Sequence, residues 1–158
     1  MSDYALLALA RALHVLGVVI WIGGVAMVTL VILPAIRQRF QPAEQAPMFE
    51  MIEHRFARIA QATTLLTGIS GFFLVERLGL WGRFADPHYW WMHAMVGIWA
   101  IFSLILFVLE PLWLHRWFSR RASQSPAATF RLVQRLHGVL LAISLLTILG
   151  AVAGSHGL

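Results

Sequence analysis

The stretch RALHVLGVVIWIGG, residues 11–24, decides the fold. It lies inside a long apolar run and places His14 there with no acidic residue beside it. His14, Gly17, Trp21 and Gly24 follow one another in steps of three and four, so a helix puts them on one face. Val28 and Val31 continue the same face. A bilayer takes roughly 20 apolar residues to cross as a helix, and the run is long enough.

Working outward, three more segments meet that length. The four predicted spans are about 5–33, 56–76, 89–114 and 136–154. The second and fourth helices are expected to begin earlier, near Pro47 and Pro126, since proline suits a first helical turn. The connections are short. The expected fold is therefore all-α: an integral membrane four-helix up-and-down bundle forming a single domain over residues 1–158. The first segment lacks a basic amino-terminal region and a small-residue cleavage site, so it reads as a retained span rather than a signal peptide.

Composition agrees. Of the 158 residues 59% are hydrophobic and only 12% are charged, about half the charge of a soluble domain. The mean hydropathy is +0.75. There is no cysteine, which removes disulfides, iron–sulfur clusters and covalent haem attachment together. All 12 basic side chains are arginines. They lie between apolar segments, which points to membrane topology and away from nucleic acid.

Their distribution predicts orientation. Arg37, Arg39, Arg55, Arg58, Arg116, Arg120, Arg121, Arg131 and Arg135 fall on one side; Arg11, Arg77 and Arg83 fall on the other. The richer side is expected to be cytoplasmic. Both termini, including the final GSHGL, then face the periplasm of a bacterial inner (plasma) membrane. Tyr89, Trp90 and Trp91 are expected in the outer aromatic belt, with Trp113 and Trp117 in the inner one.

The other helices offer comparable faces: Ala57, Gln61, Thr64, Gly68 and Gly71 in the second, His93, Gly97, Ala100 and Leu104 in the third, and His137, Leu141, Ser144 and Ile148 in the fourth. Small residues on such faces let helices in lipid approach closely. Glycines beside a histidine also make room for a flat macrocycle, and Gly17, Gly97 and Gly138 fit both accounts.

Four of the seven histidines form a pattern, one per helix: His14, His54, His93 and His137. At 1.5 Å per residue, His93 lies roughly 6 Å and His14 roughly 14 Å below the outer ends of their spans. His54 and His137 lie toward the inner side. Each pair is expected to clamp one planar cofactor across the core. Imidazole suits haem iron, zinc and copper. Haem b also needs cations for its propionates, and Arg55, Arg58, Arg131 and Arg135 are candidates on the inner side. Copper is the alternative, through His93 with Met92 and Met95. No hydrolytic constellation, phosphate loop or dinucleotide fingerprint is present.

The chain resembles the copper resistance protein D (CopD) superfamily, which includes the HemJ-type protoporphyrinogen oxidases. Three stretches carry the resemblance: ALHVLGVVIWIGG with Leu33-Pro34, HRFARIAQATTLLTG at 54–68, and WMHAM at 91–95. The last is similar to the Trp-Leu-His-Ala-Lys of HemJ, with Met95 at the position of the lysine. The resemblance implies haem b binding at His14 and His93. The expected function is a small b-type cytochrome with one or two haems, carrying single electrons from a membrane donor such as quinol, with a redox partner protein or a second copy. Copper transport, a HemJ-like oxidase and a purely structural subunit are the alternatives.

Overall fold

The computed structural model describes residues 2–156, so the last two residues of the carboxyl-terminal GSHGL lie outside it. The described residues are helical almost throughout, without a strand. Four helices are long and apolar enough to cross a membrane: α1 (Asp3–Arg39), α2 (Pro42–Arg77), α3 (Pro87–Leu114) and α5 (Pro126–Ser155). A short amphipathic helix, α4 (His115–Gln124), follows α3 directly. This is the composition and length of a multi-pass membrane protein.

Contacts between neighbours fix the helix directions. On α1, Gly17 faces Thr63 and Thr67 of α2, while Gly24 faces Phe56. Partner numbers fall as α1 rises, so the two helices are antiparallel. The same holds for α2 and α3, where the Trp99 indole donates to the Thr64 carbonyl and Gln61 donates to that of Leu106. It also holds for α3 and α5, where Trp90 fits against Gly150 and Phe102 packs with Leu141.

Parts of the interior are lined by small hydroxyl side chains. Thr67 and Ser70 are 6% exposed, whereas Ile69 between them is 71% exposed. Thr63, Thr64, Ser144 and Thr147 are buried too. Their hydroxyls donate back to carbonyls one turn earlier, except that of Thr64, so most bring no unmet polar group into the seam. Small hydroxyl side chains allow close backbone approach, and many large aliphatic side chains face outward, as in a helix bundle solvated by lipid.

Two apolar clusters lie within this frame. Trp21, Ile22 and Val25 of α1 meet Phe102 and Leu141 at mid-bundle, with Trp21 edge-on to Phe102 at 4.9 Å. Nearer the arginine-rich end, Val28, Leu33 and Ile36 pack with Ala46, Phe49, Phe118 and Phe130. Phe118 ties α4 to the bundle.

Three expectations are corrected. Val31 faces outward, and Leu33 and Ile36 take the interior instead. The cause is a π-helical stretch at Val28–Ile32, where Leu33 N–H bonds to the Val28 carbonyl five residues back. That wider turn accommodates Pro34, which has no N–H, and it rotates the face. Second, α2 begins at Pro42, not near Pro47. The Glu44 carboxylate accepts from the Gln41 N–H, which caps the helix five residues sooner. α5 does begin at Pro126. Third, Trp91 is buried against Gly154 and belongs to the interior, whereas Trp90 is half exposed.

Candidate cofactor-binding histidines

His14 projects from α1 onto α2. Its Nδ1 lies 3.0 Å from the Thr67 carbonyl oxygen and 3.3 Å from Ser70 Oγ. A carbonyl only accepts, so Nδ1 carries the proton. In the neutral ring Nε2 then holds the lone pair. Ser70 Oγ donates to Leu66 O at 2.6 Å, which leaves it an acceptor toward the histidine. The ring lies against Gly71, where an added Cβ would come within 3.0 Å of Cε1. Gly71 therefore seats the imidazole. Gly17, one turn along α1, seats Thr67. The space beside it is occupied by protein.

His137 on α5 has the same polarity. Its Nδ1 is 3.0 Å from the Val133 carbonyl oxygen, and its ring stands edge-on to Phe49 at 5.6 Å. Again Nε2 is the free nitrogen. This arrangement, one ring nitrogen bonded to a carbonyl and the other bearing its lone pair, is the usual support of a metal-ligating histidine.

His93 and His54 lie elsewhere. His93 is exposed, and its Nε2 donates to the Phe84 carbonyl at 3.0 Å in the connection before α3. Gly97, Ala100 and Leu104 are exposed with it. The interior of α3 is instead Trp91, Met92 and Phe102. His93 and Met92 thus belong to different faces. His54 is exposed on α2, as is Arg58 one turn further on. Arg135 faces a cleft with Arg37 and Arg131. Two positions along a helix is roughly 200°, so it points away from His137.

The contacts therefore bring His14 to Thr67, Ser70 and Gly71, and His137 to Phe49. They do not bring His14 to His93 or His137 to His54. Among the described residues no group of three or more His, Asp or Glu side chains converges as a metal cage. Sequence reasoning missed Thr67 and Ser70 as partners of His14. Their spacing from Gly71 on one α2 face was the available signal. Among the described residues it also missed three buried polar atoms without partners, Trp21 Nε1, Thr64 Oγ1 and Ser103 Oγ.

No family model, no curated protein and no solved structure matches this chain.

Proposed function

We propose that the chain is a haem b-binding membrane protein that passes single electrons, with a quinol or quinone as one partner, in a bacterial inner membrane with both termini outward. The observation that carries this reading is the His14 imidazole, half-buried in the α1–α2 seam with Nδ1 committed to the Thr67 carbonyl and Nε2 free.

His14 toward one end and His137 toward the other would each offer the group one imidazole nitrogen. Haem b, when bound, supplies the one-electron chemistry. The chain's own residues hold the tautomer: Thr67 and Ser70 orient His14, and Val133 orients His137. In this reading His93 and His54 complete the two ligand sets. Both are exposed in this structure, and His93 is bonded to the Phe84 carbonyl. Arg58, one turn from His54, is the propionate partner on that side. Clustering of arginine at one end supports the orientation, with that end cytoplasmic.

The test is an absorption spectrum of the purified protein in detergent, oxidised and dithionite-reduced, with pyridine haemochrome quantification. A Soret band with reduced α and β bands is expected, lost in His14→Ala and kept in His156→Ala. A featureless spectrum from folded protein expressed with ample haem overturns the reading. Stoichiometric copper in that protein would replace it with copper handling.

A further inference from the structure

A strip of four arginines runs around the start of α5. One cleft is lined by Arg37, Arg131, Gln134 and Arg135, and an adjoining one by Arg121, Ala128, Arg131, Leu132 and Arg135. The two share Arg131 and Arg135, so they form one continuous surface between the end of α1, the end of α4 and the first turns of α5. Neither lining contains a carboxylate. Within it Arg37 donates to Gln134 Oε1 at 3.5 Å, and Arg121 lies over the Trp117 ring at 5.4 Å. Four guanidiniums gathered without a counter-charge in their own cleft repel one another, and an anion in the cleft relieves that cost.

The depth of the strip says which anion. Arg135 is followed at once by Leu136, the first residue of the apolar run of α5. Leu136 and Val139 are more than half exposed below it, as is Leu30 on α1. Arg37 lies three residues beyond Pro34, where the apolar run of α1 ends. The cations thus sit at the edge of the apolar belt, with bare aliphatic surface beneath them. Stacked Trp113 and Trp117, 5.6 Å apart, stand at the same end, as indoles do at a headgroup layer. A soluble anion has no use for the aliphatic surface, but a phospholipid uses both. Guanidinium forks match phosphate oxygens two at a time, which suits a chain that carries arginine and no lysine.

We propose that this strip seats the phosphate headgroup of an acidic phospholipid, with its acyl chains against Leu136 and Val139. The site is independent of any cofactor at the histidines.

The test compares the full chain with two variants of equal charge change. Arg131→Gln/Arg135→Gln removes the shared centre of the strip. Arg116→Gln/Arg120→Gln removes two exposed arginines outside both linings. Each is reconstituted in phosphatidylcholine nanodiscs with increasing phosphatidylglycerol, and bound lipid is counted by native mass spectrometry after release into detergent. Near an anionic surface each arginine contributes about five-fold to affinity, so the first variant should bind phosphatidylglycerol roughly 30-fold more weakly. The second should keep wild-type retention. Arg37→Gln, a single exposed change, should lose about five-fold and serves if the double variant fails to fold. Equal losses in both double variants, or none in any, overturn the proposal. So does full displacement of the lipid by millimolar inorganic phosphate, which would mark a site for free phosphate.

Discussion

His14 and His93 lie in the same half of the bundle, each within the first turns of an apolar helix, and they meet opposite surroundings. His14 faces a helix that offers Thr67, Ser70 and Gly71, so its ring is held by two acceptors and seated on a glycine. His93 faces no such seam. It reaches back along its own end of the chain to Phe84, with Gly97, Ala100 and Leu104 exposed beyond it. The lesson is that a polar residue in an apolar helix is placed by the face its neighbour presents. Its own spacing sets which residues share its face but not where that face points.

The sharpest way to break this comparison is through cofactor retention. His14→Ala should abolish the Soret band if Nε2 is an axial ligand. His93→Ala should do the same only if α3 turns inward on loading. If His93→Ala retains the full haem content and the same reduced spectrum, His14 works with another partner, and the exposed position of His93 is its working position. Haem content per chain, measured by pyridine haemochrome in both variants, separates these cases.

The next effect is steric. Gly17→Leu would drive a side chain into Thr67 Oγ1 and against the Thr63 carbonyl, which is backbone and cannot yield. Overpacking of this kind costs about 1–3 kcal/mol, and the upper part of that range is expected here. A Cβ added at exposed Gly97 meets nothing within 4 Å, so Gly97→Leu should be close to neutral. Thermal melts in one detergent compare the two directly. Similar losses would mean that α3 has a second partner on its exposed face, such as another copy of the chain.

What the sequence could reveal tracks this difference. The four spans were legible because length and hydropathy alone set them. The faces of α2 and α5 were legible because Thr64, Gly68 and Ser144 interrupt aliphatic runs, and a small polar residue in lipid marks the side that packs. The face of α3 was not. From Trp90 to Leu104 only Ser103, His93 and three small residues break an apolar run, and choosing the face by its histidine selected the exposed side. The large aromatics Trp91 and Phe102, with Ser103, were the better guide. The end of α1 is misread for another reason: a helical period of 3.6 is carried on to Val31, inside the π stretch Val28–Ile32 that resets it. Of the candidate site, the histidines were legible as residues. Their partners were not, because pairing depends on how far each helix is rotated.

The smallest effect isolates one bond that supports α3. From Ile105 to Leu114 this helix runs in the π register around Pro111. In that register the N–H of residue 111 would serve the carbonyl of residue 106, and proline has none to give. Gln61 of α2 supplies it, donating through Nε2 to the Leu106 carbonyl at 3.0 Å. Gln61→Leu keeps the bulk and leaves that carbonyl bare inside the bundle, at a cost of about 1 kcal/mol. The change should be milder in a Pro111→Ala background, where the new backbone N–H serves Leu106 itself. Unfolding free energies of the four proteins in the double-mutant cycle test this. A coupling near zero would mean that Gln61 only fills space and that the π stretch is held by α3 alone. A coupling approaching the full cost of the single change would make a side chain of α2 the means by which α3 passes its proline without an unmet carbonyl.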